Sequence, residues 1–170
     1  MTSIAPSAVA LTDVRRHVGV IRSLRPLAVE SAPDRWAYAV SVPLTRQESN
    51  AFPLRVTANV VVEAGVLGCL IVANDWTTLL GTPSPSIGVG RSTVELTWEQ
   101  GDVAQLVFRN HGMHGRPCSF VVEGVWVSPL PEGVAQHSLQ MDEIMESDGR
   151  ALSVARLHDA FVRHEAAQAS

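Results

Sequence analysis

The pattern of apolar and polar residues between positions 35 and 127 has a period of two. In "LRVTANVVVEAG" one face is apolar, and the opposite face carries Arg55, Thr57, Asn59 and Glu63. Successive side chains of a β-strand point to opposite faces, so this pattern predicts strands with one buried face. Further strands are predicted in "RWAYAVSVPL", "VLGCLIVAND", "STVELTWEQ", "DVAQLVFRN" and "CSFVVEGVWV". On these strands Trp36, Trp98 and Trp126 share faces with valines and leucines, so we predict that they lie in the core.

Short breaker segments separate the predicted strands: "TRQESNAFP", "GTPSPSIGVG", "EQGD" and "NHGMHGRP". They are too short for the crossover helices that a parallel sheet requires. The fold class predicted is therefore all-β, an antiparallel jelly-roll β-sandwich with a C-terminal helical tail. We predict an N-terminal segment at 1–34 with a possible edge strand at Val18–Ile21, the β-sandwich at 35–130, and a linker and helix at 131–170.

The helical tail is predicted from the residues that follow "SPLPEG". Ser147 or Asp148 can cap a first turn, and Val154, Leu157 and Phe161 recur at helical spacing. Such a stripe has to pack against another surface. The tail could join the module to a neighbouring enzyme domain or form a homodimer. An alternative hypothesis is that the chain is a purely structural dimerisation module.

Composition narrows the range of functions. Hydrophobic residues make up 46% of the 170 residues and charged residues 18%, a balance typical of a globular protein. All thirteen basic residues are arginine, and they are scattered in a chain with net charge −4, which disfavours nucleic-acid binding. No apolar run approaches the length of a membrane span, and the first residues lack a secretory signal. Cys69 and Cys118 form no disulfide or zinc-ribbon pattern, so we expect a cytoplasmic protein with reduced thiols and no cofactor.

The loop "NHGMHGRPC" contains the most suggestive cluster of chemical groups. His111, His114 and Cys118 are residue types that bind zinc, but glycines flank both histidines and no second ligand pair matches them. A polar turn between strands is the favoured reading, and no metal site is assigned, with His111 and His114 kept as candidates. The corresponding alternative function is a small enzyme, either metal-dependent through these histidines or a cofactor-free cyclase or isomerase. We expect no catalysis, since no nucleophile or nucleotide motif is present.

A binding site is predicted where polar and aromatic residues meet at strand ends. "ANDW" places Asn74, Asp75 and Trp76 together, and Arg109 and Asn110 form a second polar pair. An aromatic ring can cover the apolar side of a sugar while planar polar groups take its hydroxyls. We therefore predict Trp76 for stacking and the other four residues for polar contacts. Arg55, Asn59 and Glu95 would line an exposed sheet face.

Three segments, "LRVTANVVVEAGVLGCLIVANDW", "STVELTWEQGDVAQLVFRN" and "SFVVEGVWVSPL", resemble the galactose-binding-like, carbohydrate-binding-module type of jelly roll. Similar modules accompany bacterial methyltransferases and glycosyltransferases. The resemblance covers about residues 35–130 and carries over no binding residue. It implies a non-catalytic accessory module whose partner is a carbohydrate-like ligand or an adjacent enzyme of a biosynthetic or glycan pathway.

Overall fold

A computed structural model describes residues 5–47 and 53–130. They form ten strands and no α-helix in these two ranges. The strands are β1 (Ser7–Ala8), β2 (Arg15–Arg16), β3 (Gly19–Leu24), β4 (Leu27–Ser31), β5 (Tyr38–Thr45), β6 (Leu54–Ala64), β7 (Leu67–Val72), β8 (Gly90–Trp98), β9 (Val103–Asn110) and β10 (Ser119–Pro129). The described part of the chain contains no helix long and apolar enough to span a bilayer.

The strands build two antiparallel sheets. The six-stranded sheet has the order β3-β4-β10-β6-β8, and β1 pairs with the second half of β10. The four-stranded sheet has the order β2-β5-β9-β7. From β4 to β10 every connection passes from one sheet to the other, so neighbours in sequence face each other across the core. The prediction of an all-β antiparallel sandwich is confirmed, and the predicted helical tail lies outside the described residues.

The first 34 residues contribute four strands, where the sequence pattern indicated one possible edge strand at Val18–Ile21. β3 overlaps that segment and lies at the edge of the six-stranded sheet. Three of the five residues of β4 are buried, and this strand pairs with both β3 and β10. Apolar alternation in these strands is short, which is why the sequence pattern does not separate them from turns.

The core lies between the inner faces of the two sheets. β6 alternates between buried and half-buried residues along nearly its whole length, as predicted. Phe108 of β9 stacks on Phe120 of β10 with ring centroids 5.7 Å apart, which joins the sheets at their centre. Trp98 is fully buried, and its Nε1–H donates a hydrogen bond to the carbonyl of Gln100 at 2.8 Å. The core prediction for Trp98 is therefore confirmed.

All six residues of β7 are buried, because both faces of this strand are covered. Its inner residues join the main core, whereas Leu70 and Val72 point outward and form a small second cluster with Val107 of β9. The segment after β7 folds back over this cluster and packs Trp76 and Leu79 on it.

Candidate functional site

The segment after β7 begins with a turn that Asp75 organises. One carboxylate oxygen of Asp75 accepts hydrogen bonds from the backbone N–H groups of Thr77 and Thr78, each at 2.9 Å, and the other accepts from the Thr78 hydroxyl. The Thr78 hydroxyl and the two N–H groups lower the pKa of Asp75 to about 2. Both carboxylate oxygens of Asp75 therefore have partners within the turn, which gives this residue a structural role. Its predicted contact with a ligand stays a prediction.

The turn presents Trp76 to the outer face of the four-stranded sheet. Its backbone is in the left-handed region, with φ of 64°, and its ring packs on the small cluster of Leu70, Val72 and Val107. The His17 ring lies edge-on at 4.7 Å from the indole centroid, and the Arg15 guanidinium lies 5.4 Å from it. A sugar stacking on Trp76 would have to share this ring with Arg15, and the predicted stacking role of Trp76 stays a prediction.

Asn74 and Asn110 occupy different environments. The Oδ1 of Asn74 accepts a hydrogen bond from Gln105 Nε2 at 3.1 Å on the outer face of the four-stranded sheet. Asn110 is fully buried: its Nδ2 donates to the carbonyls of Ala32 and Arg116 at 3.2 and 2.9 Å, and its Oδ1 accepts from Gly112 N–H at 3.0 Å. The structure corrects the predicted pair of Arg109 and Asn110, because adjacent strand residues face opposite sides of a sheet. Asn110 faces the interior, so it does not contribute to a surface site.

Arg109 lies on the outer face of the four-stranded sheet, against Trp36. Its guanidinium carbon is 4.4 Å from the indole centroid, and that of Arg35 is 4.6 Å from the same centroid. The centroid of the His111 ring lies 4.5 Å from the centroid of the Trp36 ring. Burial lowers the pKa of Arg109. The core prediction for Trp36 was wrong: this residue lies half-buried in the turn before β5, with φ of 68°.

The structure separates the two histidines considered for a metal. His111 packs on Trp36, whereas the ring of His114 is largely exposed, with its Nδ1 3.7 Å from Asp34. Within residues 5–47 and 53–130, no group of three or more histidine, cysteine, aspartate or glutamate residues could hold a metal ion. The described loop is a polar connection between β9 and β10.

Trp126 is the second tryptophan whose core prediction was wrong. The register of β10 against β6 shifts between Val122 and Gly124, which marks a β-bulge. Before the bulge the even-numbered residues are buried, and after it the odd-numbered residues Val125 and Val127 are buried. Trp126 consequently points outward from the six-stranded sheet.

The indole of Trp126 lies across the place where a side chain at position 124 would project. A Cβ atom on Gly124 would come within 2.4 Å of the Trp126 ring, so only glycine at position 124 allows this placement. In the described residues, Trp36 and Trp76 have guanidinium and ring neighbours, and Trp98 is buried. Trp126 has neither a cation nor an aromatic ring against it within those ranges. It lines an open groove of about 330 Å³.

Polar side chains surround this indole. The groove is lined by Trp126 together with Pro6, Arg55, Thr57, Asn59 and Ser128, and we call this set the Trp126 surface. Thr57 lies directly opposite Trp126 in the ladder, and Arg55 lies opposite Ser128. Arg55 approaches Glu95 at 3.7 Å, and Asn59 accepts a hydrogen bond from the Thr93 hydroxyl at 2.9 Å. The Asn59 amide therefore keeps its two N–H donors for other partners.

Part of this surface follows from the sequence and part does not. The outward-facing positions of Arg55, Asn59 and Glu95 agree with the alternation of β6 and β8. Trp126 was missed because the bulge reverses the alternation of β10. The available signal was the glycine in "VVEGVWV", since glycine within a strand often marks a bulge.

Comparisons with known proteins give weak similarity to sugar-binding structures. No protein-family model matches the chain, and no curated protein matches it. Among solved structures it is similar to the C-terminal domain of EclA, a sugar-binding protein, with 13% identity over 59% of this chain and 76% of that one, at a TM-score of 0.41. A CBM4 structure has 9% identity over 73% and 95% of the two chains, with a TM-score of 0.46.

A third similar structure is the carbohydrate-binding module CBM36 in complex with calcium and xylotriose. It shares 12% identity over 74% of this chain and all of that chain, with a TM-score of 0.45. These structures are of the type that the strand sequences resemble. TM-scores below 0.5 assign neither a ligand nor a binding residue, so the functional residues of this chain have to be found on its own surfaces.

Proposed function

We propose that this chain binds carbohydrate, without catalysing a reaction on it, through the Trp126 surface. The observation that carries the proposal is the half-buried indole of Trp126, which lines an open groove of planar and hydroxyl-bearing side chains. An indole face suits the apolar C–H face of a sugar ring. The Asn59 amide and the Arg55 guanidinium supply donors, and the carboxylate of Glu95 supplies an acceptor for hydroxyl groups.

Rigid strands hold this arrangement. Trp126 and Thr57 are opposed on two central strands, β10 and β6, and Glu95 lies opposite Thr57 on β8. Strands are about 4.8 Å apart, so side chains from all three can contact one small ligand. Sites built on strands lose less conformational entropy on binding than sites built on mobile loops.

Stacking on Trp126 accounts for a measurable share of the expected affinity. A tryptophan buries about 150–250 Å² in full, so covering one face removes roughly 80 Å² from water. At about 25 cal/mol per Å² this contributes about 2 kcal/mol, which corresponds to about 30-fold in Kd.

The test is affinity electrophoresis of the full chain in gels that contain xylan, β-glucan or galactomannan, followed by calorimetric titration with oligosaccharides of any polymer that retards it. We expect Trp126→Ala to weaken binding about 30-fold and Trp126→Phe to weaken it less. Arg91→Ala is the matched control, because Arg91 is exposed at the other end of the same sheet face, paired with Glu123. Retardation that is equal for wild type and Trp126→Ala would overturn the assignment of this surface.

We further propose that binding to the carbohydrate places this chain beside an enzyme that acts on the same carbohydrate. That partner could be a neighbouring domain or a separate protein. Co-migration of the chain with such an enzyme only when the polysaccharide is present would support an accessory role.

A further inference from the structure

Arg109 differs from the other half-buried arginines. In the described ranges three arginines are half-buried, namely Arg46, Arg55 and Arg109. Arg46 is paired with Asp102 at 2.7 Å, and Arg55 approaches Glu95 at 3.7 Å. Arg109 has no carboxylate within ion-pair distance among the described residues. Burying a charge without a counter-ion costs free energy, so this side chain calls for an explanation.

The guanidinium of Arg109 is fixed in place and is still accessible. The Trp36 ring lies 4.4 Å from its central carbon, and Tyr38 and Gly68 are its neighbours on the flanking strands. Its Nε is fully buried and makes no hydrogen bond. The two terminal nitrogens are not among the buried atoms without a partner, and they make no hydrogen bond to the residues that the structure describes. A planar fork of N–H donors is therefore oriented by packing while its outer donors are unused.

The backbone around this arginine is held in an unfavourable conformation. Trp36 and Trp76 are the two described residues other than glycine with positive φ, at 68° and 64°. For a bulky side chain the left-handed region costs about 1–2 kcal/mol. Both tryptophans pack against an arginine on the outer face of the four-stranded sheet, Trp36 against Arg109 and Trp76 against Arg15. Strain of this kind is found preferentially where function requires it.

We propose that Arg109 anchors a second binding site, for a carboxylate carried by a small molecule. A planar, singly charged carboxylate matches the fork of one guanidinium in a bidentate pair. Arg35 also contacts the Trp36 ring, but its side chain is exposed, so Arg109 supplies the half-buried fork. A single fork matches the two oxygens of a carboxylate better than the tetrahedral oxygens of a phosphate. Tyr38 lies opposite Arg109 on β5 and provides a ring surface beside the fork, so a uronic-acid-type sugar is the preferred carrier. This site lies on the opposite outer face of the sandwich from the Trp126 surface and does not depend on the proposed function.

The test follows the Nε–H resonance of Arg109 in nitrogen–proton NMR spectra of the full chain at constant ionic strength. The probes are sodium glucuronate, sodium acetate, glucose and inorganic phosphate. We expect saturable shifts with glucuronate and acetate and no shift with glucose. Tighter binding of glucuronate than of acetate identifies a sugar as the carrier, and equal binding identifies the bare carboxylate. The absence of a saturable carboxylate shift, or shifts of equal size with phosphate, would overturn the proposal.

Two variants separate binding from a packing role, and their affinities are measured by calorimetric titration with glucuronate, because neither has the Arg109 Nε–H signal. Arg109→Lys keeps the charge and loses the fork, so glucuronate should bind about tenfold more weakly. Arg109→Met keeps the packing on Trp36 and removes the charge, so its melting temperature should equal or exceed that of wild type while carboxylate binding is lost. Arg46→Met is the matched control, with unchanged carboxylate affinity. Unchanged affinity for glucuronate in Arg109→Lys and Arg109→Met would contradict the assignment of the site to Arg109.

Discussion

Replacement of Asn110 by alanine should lower stability and leave ligand binding unchanged. The Asn110 side chain makes three hydrogen bonds to the backbone of two loops, at 2.9, 3.0 and 3.2 Å. Each such bond contributes about 1 kcal/mol net, so their loss should reduce the free energy of unfolding by about 3 kcal/mol. A domain of this size has roughly 5–15 kcal/mol in total, and the variant should remain folded. Its melting temperature should fall by about 6–12 °C.

Urea denaturation followed by tryptophan fluorescence measures this loss. The transition midpoint should move to lower urea with an unchanged slope, because the change affects local contacts rather than the surface exposed on unfolding. Asn59→Ala is the control: Asn59 is only half-buried and its side chain makes one hydrogen bond, so its stability should stay within about 0.5 kcal/mol of wild type. A loss below about 1 kcal/mol in Asn110→Ala would refute the structural role and return Asn110 to the ligand-binding residues.

Three further outcomes are expected. The folded-state pKa of Asp75, about 2, lies below its ordinary value of 3.8, so the stabilisation from its carboxylate is complete above about pH 4 and is lost as pH falls towards 2. The melting temperature of wild type should therefore decrease relative to Asp75→Asn across that interval, and a constant difference would contradict the turn. Burial raises the pKa of Cys118 to about 12 and also raises the pKa of Cys69. Both thiols should therefore resist a disulfide reagent at pH 8 until the protein is unfolded. Fast labelling of the native protein would contradict their burial. Gly124→Val should displace the Trp126 ring and weaken carbohydrate binding as much as Trp126→Ala does, with a small change in melting temperature; full binding would show that the ring position is irrelevant.

The strand pattern made most of the sandwich predictable. Period-two alternation identified the long strands because one face of each has to be buried, and β6 follows that rule from Leu54 to Val62. Before position 34 only the edge strand that overlaps β3 was predicted, because strands of two to six residues do not establish a period. The pairing of strands depends on contacts distant in sequence, and no local pattern specifies them.

The candidate sites were harder to predict than the fold, for two local reasons. The bulge at Gly124 changes which side of β10 faces solvent, and it moved Trp126 from a predicted core position to the surface. The pair of Arg109 and Asn110 looked like one polar site, although neighbouring strand residues point to opposite faces. Arg109 could be placed outside and Asn110 inside by alternation alone, since Phe108 and Leu106 indicate the inner face. That Arg109 has no counter-ion could be seen only in three dimensions.

The most direct measurement is an NMR titration that follows the indole N–H signals of the four tryptophans. Each signal is assigned by replacing one tryptophan with phenylalanine, and the titrant is an oligosaccharide of the polymer that retards the chain in a gel. With a neutral oligosaccharide, which has no carboxylate for Arg109, binding at the Trp126 surface predicts a saturable shift of the Trp126 signal. The buried Trp98 signal and the signals of Trp36 and Trp76 on the opposite sheet should stay in place. A saturable shift of Trp76 or Trp36 with Trp126 unmoved would contradict the account and place the carbohydrate on the four-stranded sheet.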